Sequence, residues 1–278
     1  MKILILGSSG QLGHELHSIF SSHNPTCLTS NDFDFLSDKP FLIEEKFDVV
    51  LNAMAMTNTG ACEDHVEDAY RLNASRVGEI AKQCQIHGSI FFHFSTDYVF
   101  DGNSYQPYDE KSSPNPINRY GASKLSGEFE AMMFCEKTFV FRVASLYGIG
   151  GNNFVKFMLE KAKIGEGLKI VNDQFMSPTH AKDVARAIKK FIDSENNNYG
   201  VYHCSNEGKC TWFEFAKEFL KYANIETTLE PVSWKDFPAK LRRPIDSHMS
   251  VDKLKKYYPM PDWKSSLKEF IQIWEKNK

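Results

Sequence analysis

The chain of 278 residues has no long apolar run, no block of like charges and no basic excess. Its first apolar stretch, Ile3 to Leu6, ends at a glycine and is too short for the apolar core of a signal peptide. No other run approaches the length that spans a bilayer. The formal net charge of −3 argues against nucleic acid or an anionic membrane surface as a partner. We therefore expect a cytoplasmic protein.

The six cysteines also lack any pattern of functional use. None forms a Cys-x-x-Cys pair, and their spacing fits neither a zinc site nor a disulfide framework. We expect reduced packing residues in a reducing compartment. No cluster of Asp, Glu and His in the sequence indicates a structural metal, so no metal site is predicted.

What the sequence does contain is an alternation of short apolar runs with amphipathic stretches. Strands are predicted at 2–6, 26–29, 48–51, 90–94 and 138–142, and helices at 12–21, 67–85 and 121–135. Helices of this length between strands imply crossover connections and a parallel sheet. Strands that are apolar throughout are typical of sheets covered on both faces. The pattern predicts an α/β fold with a doubly wound parallel sheet.

The second half of the chain is less regular. It predicts helices at 153–162, 180–192 and 263–274, a strand at 199–203 and a loop over 231–261. Thr211 and Glu214 have the spacing of a capping box, which should start a helix that runs to Tyr222. We expect this part of the chain to add a smaller lobe over one end of the sheet.

A glycine-rich turn, "GSSGQLG", lies between the first strand and the first helix. Gly7 would allow the tight turn, Gly10 the approach of a pyrophosphate, and Gly13 the close packing of helix on strand. The free N–H groups of the helix would then face the phosphates. The spacing is G-x-x-G-x-x-G rather than G-x-G-x-x-G, and a turn without a ligand is the alternative interpretation.

The segment "TCLTSNDFDF" follows the second strand, where dinucleotide sites often place an acidic residue on the adenosine ribose. Asp32 and Asp34 lie there, without a lysine or arginine to meet a 2′-phosphate. The hydroxyls of Thr29 and Ser30 leave room for one. The sequence therefore leaves NADPH and NADH open.

Polar side chains end the apolar strand in "IFFHFSTDYVFDG". The carboxyl ends of strands are where open α/β sheets bind ligands, so Thr96 could give a hydroxyl to a reacting carbonyl. Further on, Tyr120 and Lys124 in "YGASK" share one face of a helix. An adjacent ammonium favours the phenolate, which makes tyrosine a usable proton donor and acceptor.

In this order, the motifs resemble the extended short-chain dehydrogenases/reductases, and within them the dTDP-4-dehydrorhamnose reductase family. The stretches that carry the resemblance run from residue 3 to about 244 and are "GSSGQLG", "NAMAMT", "STDYVFDG", "PINRYGASKLSGE", "GNNFVKFML", "NDQFMSPT", "CSNEGKCTWFEFA" and "RRP".

The resemblance implies a Rossmann-type sheet domain and a C-terminal substrate lobe. Residues 1–148 would form the dinucleotide-binding domain, with 178–203 returning to it, while 149–177 and 204–278 would form the lobe. It also implies reduction of a 4-keto sugar nucleotide by NADPH or NADH in polysaccharide precursor synthesis. A homodimer is a further expectation from the family.

The residues expected in the site fall into three groups. The catalytic residues would be Thr96, Tyr120 and Lys124. Besides Tyr120 and Lys124, the cofactor-binding residues would be Gly7, Ser9, Gly10, Gln11, Leu12, Gly13, Ser30, Asp34, Phe35, Ala53, Met54 and Ala55. Besides Thr96, the substrate-binding residues would be Asp97, Tyr98, Leu146, Asn153, Phe154, Gln174, Trp212 and Arg243.

The chain departs from the family at residues expected to face the sugar. The family usually reads Thr-Ser-Trp-hydrophobic-Tyr after the strand that ends at Arg142, and Leu146 is expected at the tryptophan position. Met56 and Gly60 replace a tyrosine and an aspartate, and Asp246 replaces an asparagine. We hypothesise the same reaction class on a different sugar nucleotide.

Two other functions fit the same motifs. A sugar-nucleotide epimerase shares the fold and the Tyr-x-x-x-Lys pair but recycles its bound NAD. A dehydratase is disfavoured, because Thr96 is followed by Asp97 and Tyr98 rather than by an Asp-Glu pair. A non-catalytic dinucleotide-binding subunit would be expected to have a broken catalytic triad, and this one is whole.

Overall fold

The computed structural model describes residues 1–165, 167–236 and 241–276. Its strands in chain order are β1 (Ile3–Leu6), β2 (Thr26–Leu28), β3 (Val49–Asn52), β4 (Ile90–Thr96), β5 (Thr138–Val143), β6 (Leu146–Tyr147), β7 (Leu168–Val171), β8 (Phe175–Met176), β9 (Thr179–His180), β10 (Gly200–His203), β11 (Cys210–Thr211) and β12 (Leu229–Val232). The α-helices are α1 (Gln11–Ile19), α2 (Thr59–Asp64), α3 (Val66–Tyr70), α4 (Arg76–His87), α5 (Arg119–Phe134), α6 (Phe154–Lys163), α7 (Ala181–Asp193), α8 (Trp212–Tyr222), α9 (Asp252–Lys255) and α10 (Trp263–Lys276).

Six parallel strands form the central sheet, in the order β10-β5-β4-β3-β1-β2. The chain first winds outward from β1 to β2 and then crosses to the other side of β1 at β3. The carboxyl ends of β1 and β3 therefore flank the point where the winding direction reverses, which is where open α/β sheets bind ligands.

Helices cover both faces of the sheet, because its strands are apolar on both sides. On one face Leu12 and Leu16 of α1 pack with Val184 and Ile188 of α7. On the other face Val77 and Ile80 of α4 pack beside Ala131 of α5. The prediction of a doubly wound parallel sheet is confirmed.

A second hydrophobic core lies between α6, α8 and α10. Its buried members include Val155, Phe215 and Phe270, and the parallel pair of β7 and β12 lies against it. Leu254 and Met260 lie in the core of the sheet instead, although they belong to the segment expected in the lobe. The division of the chain into 1–148 with 178–203, and 149–177 with 204–278, stays a prediction.

Two of the predicted segments have a different structure, and short elements such as β7, α2 and α9 were not predicted. The single helix expected at 67–85 is α3, a π-helical turn at Arg71–Ser75, and α4. The loop expected over 231–261 begins inside β12, where Pro231 is tolerated in a short strand of a two-stranded sheet; residues 237–240 lie outside the described residues. No helix in the described ranges is both long and apolar enough to cross a membrane.

Candidate active site

The turn after β1 forms a cradle that only glycine fits. Gly7 has a φ of +76°, and a Cβ there would lie 2.9 Å from the Met54 backbone. A Cβ on Gly13 would lie 2.1 Å from the Gly7 carbonyl oxygen, so helix α1 packs directly on the turn. Glycine at these two positions is therefore a steric requirement.

The N-terminus of α1 is open toward this cradle. Its N-cap, Gly10, offers no side chain, and the first turn carries no acidic residue. The first N–H groups of a helix have no partner within it, and the helix dipole favours an anion there. These features fit the pyrophosphate of a dinucleotide.

Three adjoining cavities form a continuous groove along this edge of the sheet. The first, of about 260 Å³, is lined by Gly7, Ser9, Gly10, Ser30, Asp34, Phe35, Leu36, Ala53, Met54, Ala55 and Leu72. It shares Gly10, Ala53 and Ala55 with a second cavity of about 440 Å³. This lining has no lysine or arginine, so the structure, like the sequence, gives a 2′-phosphate no basic partner here.

The second cavity contains all three residues expected to be catalytic. Its lining comprises Gly10, Gln11, Leu12, Ala53, Ala55, Thr57, Thr59, Phe94, Ser95, Thr96, Asp97, Tyr98, Tyr120, Lys124, Val143, Ser145, Leu146, Asn152, Asn153, Phe154 and Trp212. Among the expected cofactor residues, only Gly13 lines none of these cavities, because it is buried under the turn.

The third cavity, of about 530 Å³, continues from the second past Tyr98, Phe154 and Trp212. Gln174 and Arg243 line it, together with Thr57, Asn58, Thr59, Met158, Lys169, Ile170 and Val171. Two cations and several apolar groups at one end of a groove suit a charged nucleotide. Lys169 was missed from the sequence, because β7 was not predicted.

The catalytic helix α5 begins at a side-chain cap. Asn118 Oδ1 accepts from the Gly121 N–H at 2.8 Å, and its amide donates to the Arg242 carbonyl at 2.9 Å. Tyr120 therefore lies in the first turn and Lys124 one turn later, on the face toward the end of β4. The Lys124 ammonium donates to the Phe94 carbonyl at 2.6 Å.

Burial sets the ionisation of the tyrosine. It raises the pKa of Tyr120 well above its ordinary value, and a hydrogen bond with the Thr96 hydroxyl opposes this only in part. The sequence leads to the expectation that the lysine favours the phenolate, but desolvation by burial is the largest effect on Tyr120 and favours the phenol. Tyr120 is protonated at neutral pH, which suits a proton donor.

The buried lysine is shifted in the opposite direction. Burial lowers the pKa of Lys124 to about 8, and the carboxylate of Glu128 raises it in part. Glu128 is itself paired with Arg142, with Nη2 and Oε2 2.7 Å apart, and it accepts from Ser95 at 2.5 Å. The Ser95 hydroxyl thus donates to the buried ion pair of Glu128 and Arg142, whereas the Thr96 hydroxyl donates to Asp97.

The residue aligned with the family's tryptophan needs a correction. The pattern Thr-Ser-Trp-hydrophobic-Tyr ends at Tyr147, so its tryptophan position falls on Ser145, and the assignment to Leu146 is off by one residue. Both residues line the catalytic cavity. Ser145 has a φ of +41°, a strained conformation for a residue with a side chain. Met56, Gly60 and Asp246 do not line the three cavities.

One group of metal-ligand types occurs among the described residues, away from this groove. His180, Asp183 and Glu269 place one ligand atom each within 4.8 Å of one another. Arg186 already bonds both carboxylates at 2.9 to 3.0 Å, and Lys182 bonds Glu269 at 2.9 Å. These cations compensate the negative charge that would attract a metal.

Comparisons with known proteins identify the family of the chain. The family described as "RmlD substrate binding domain" matches residues 1–275. The spore coat polysaccharide biosynthesis protein SpsK of Bacillus subtilis (strain 168) is 32% identical, over 98% of this chain and 97% of its own. The dTDP-4-dehydrorhamnose reductase of Escherichia coli (strain K12) is 33% identical over the same shares.

A solved structure agrees along the whole fold. The dTDP-4-dehydrorhamnose reductase of Bacillus anthracis str. Ames in complex with NADP is 35% identical, covers 98% of this chain and 100% of its own, and has a TM-score of 0.91. Family match, relatives and fold point the same way. The chain belongs to the dTDP-4-dehydrorhamnose reductase family of NAD(P)H-dependent sugar-nucleotide reductases.

Proposed function

We propose that this protein reduces the 4-keto group of a nucleotide-linked deoxysugar, dTDP-4-dehydrorhamnose or a closely related compound, with NADPH or NADH. The product would be a precursor for polysaccharide synthesis, as the name of the Bacillus subtilis relative suggests. The observation that carries the proposal is the convergence of Thr96, Tyr120 and Lys124 in one cavity between the glycine cradle and Arg243.

The groove supports an order of binding sites along its length. The cofactor's adenosine would lie near Ser30 and Asp34, its pyrophosphate at the N-terminus of α1, and its nicotinamide near Ala53 and Ala55. The sugar would lie beside Thr96 and Tyr120. Its nucleotide would extend past Trp212 to Arg243, whose guanidinium suits a diphosphate.

Three side chains would carry out the protein's part of the reaction. Tyr120 donates its phenol proton to the carbonyl oxygen as negative charge develops there. Thr96 donates a hydrogen bond to the same oxygen, which is strongest when the charge is largest. Lys124 holds the cofactor's ribose hydroxyls and eases the loss of the phenol proton. The nicotinamide, when bound, supplies the hydride.

The test is the oxidation of NADPH and of NADH by the purified protein, followed by nicotinamide absorbance, with dTDP-4-dehydrorhamnose as substrate. Turnover with stoichiometric loss of reduced cofactor would support the proposal. Isomerised sugar without net cofactor oxidation would favour the epimerase. Tight cofactor binding without conversion of any 4-keto sugar nucleotide would favour the non-catalytic subunit.

Among these compounds, we also propose that the chain prefers a 4-keto sugar nucleotide other than dTDP-4-dehydrorhamnose. Ser145 stands at the position of the family's aromatic side chain and lines the catalytic cavity, so a sugar ring is held differently there. Comparing kcat/KM for dTDP-4-dehydrorhamnose with that for other 4-keto sugar nucleotides tests this. Efficient turnover of the rhamnose precursor alone would contradict it.

A further inference from the structure

The buried carboxyl group of Asp97 lies next to the Thr96 hydroxyl. Asp97 is 2% exposed, and its two oxygens have different partners. The Thr96 hydroxyl donates to Oδ1 at 3.1 Å, and the Ser247 hydroxyl donates to Oδ2 at 2.5 Å. Ser247 is also 2% exposed, so water does not compete for this contact.

Ser247 reaches Asp97 from a strap, which we define as residues 241–251, and of this strap Arg243 lines the third cavity. The Phe175 N–H donates to the Ile245 carbonyl at 2.7 Å, and the Asp246 N–H donates to the Gly102 carbonyl at 3.2 Å. These bonds fix the backbone just before Ser247, and the Tyr108 N–H, which donates to the His248 carbonyl at 2.9 Å, fixes it just after. The same strap carries Arg243, so the expected diphosphate contact and the Asp97 contact move together.

The hydrogen bonds of Thr96 raise a difficulty for its expected role. Its hydroxyl accepts from the Tyr98 N–H at 3.2 Å, and its single proton can point either to Asp97 Oδ1 at 3.1 Å or to the Tyr120 phenol in the cavity. A hydroxyl has only one proton to donate. While the Thr96 hydroxyl donates its proton to the Asp97 carboxylate, Thr96 cannot donate to a substrate carbonyl.

Building on the proposed function, we propose that Asp97 and Ser247 are positioning residues that set the direction of the Thr96 hydroxyl proton. Ser247 occupies Oδ2, so a proton taken up by Asp97 lies on Oδ1, facing Thr96. Thr96 then accepts from Asp97, and its own proton is free for the carbonyl oxygen. When Asp97 is ionised, the Thr96 proton turns back to the carboxylate.

The environment of Asp97 allows both states near neutral pH. Burial raises the pKa of Asp97 to about 6, and the bonds from Ser247 and Thr96 lower it in part. The titratable groups around it are Tyr98 on the same turn, Tyr120 and Lys124 on α5, Arg243 on the strap and Cys62 on α2. Burial raises the pKa of both tyrosines and of Cys62, so none of these three loses its proton between pH 5 and 7. The pKa of Lys124, about 8, lies above this range.

The first experiment measures kcat against pH with saturating substrate and cofactor. From about pH 5 to about pH 7 we expect kcat of the native chain to fall by roughly tenfold as Asp97 ionises. In Asp97→Asn the Ser247 hydroxyl selects the amide oxygen, so the amide N–H₂ faces Thr96 at every pH. We expect kcat of this variant to differ by less than about threefold between pH 5 and pH 7, whatever its absolute value.

Asp101→Asn is the matched control, because the Asp101 carboxylate bonds Tyr108 and lies outside the groove lining. It should keep the native pH profile. An unchanged fall with pH in Asp97→Asn would overturn the inference.

The second experiment separates the two residues and does not need turnover. An infrared titration follows the carbonyl band of the protonated carboxyl that Asp97→Asn removes. Ser247→Ala should move the appearance of this band to higher pH, because a bond that favours the carboxylate is lost, and Ser247→Thr should restore it. A band that Ser247→Ala leaves unmoved would contradict the inference. If the protein reduced no sugar nucleotide, the proposed function would be contradicted. The infrared titration would still show whether Ser247 shifts the ionisation of Asp97.

Discussion

Tyr120 and Lys124 lie one turn apart on α5, and burial shifts their pKa values in opposite directions. The raised pKa of Tyr120 keeps its phenol protonated, and the pKa of the Lys124 ammonium is lowered to about 8. A protonated tyrosine beside a lysine that ionises close to neutral pH suits donation of a proton to an oxygen that becomes negative. A Tyr-x-x-x-Lys pair is common in helices and does not by itself indicate an active site. The burial of Tyr120 and Lys124 at the end of β4 is what indicates one.

Replacing Tyr120 by phenylalanine tests the proton donor. We expect Tyr120→Phe to lower kcat by about 10³-fold, because the ring and its packing remain while the proton is lost. The dissociation constant for NADPH, measured by fluorescence titration, should change by less than about threefold. Tyr98→Phe is the matched control, since that ring packs edge-on against Tyr120 at 5.8 Å. Equal losses in both variants would show that the loss of either phenol hydroxyl is enough, and would contradict a specific role of Tyr120 as the proton donor.

At the scale of elements, the joint between β1 and α1 positions the cofactor. Gly13→Ala would place a methyl group 2.1 Å from the Gly7 carbonyl oxygen, so the helix must move away from the turn. We expect a loss of about 3 kcal/mol in the free energy of unfolding, measured by urea titration, and weaker NADPH binding. Gly60→Ala is the control, because its nearest atom lies at 3.5 Å and α2 gains a better helix former. It should be neutral or stabilising by about 0.5 kcal/mol.

The cap of α5 links this helix to the strap. Asn118→Asp keeps the oxygen that accepts from the Gly121 N–H but loses the amide that donates to the Arg242 carbonyl. We expect the melting temperature to stay near the native value and KM for the sugar nucleotide to rise about tenfold, because Arg243 is no longer held. Asn118→Ala should lose both, at a cost of about 1 kcal/mol in stability. An unchanged KM in Asn118→Asp would show that the strap holds its place without this bond.

The sequence predicts best the elements whose signals are local. The capping box of Thr211 and Glu214 starts α8 as expected, and the apolar run at 90–94 lies within β4. Short strands such as β7 were missed, because their pairing with β12 depends on residues some sixty positions away. The partner of Asp97 was missed for the same reason, since Ser247 is 150 residues distant.

At the scale of the whole molecule, the groove depends on both hydrophobic cores. Thr96 stands at the end of a strand of the central sheet, whereas Phe154 and Trp212 pack against the second core. All three line the catalytic cavity. Changes in how the two cores pack should therefore affect the sugar more than the cofactor, because the glycine cradle lies entirely on the sheet.

The central claim is that the chain transfers a hydride from the nicotinamide cofactor to a keto sugar nucleotide and releases oxidised cofactor. Mass spectrometry and NMR of the product formed with NADPH deuterated at its transferable position test this directly. The account predicts one deuterium on the carbon that was the ketone, for each cofactor oxidised. A sugar product without deuterium and without loss of reduced cofactor would contradict it.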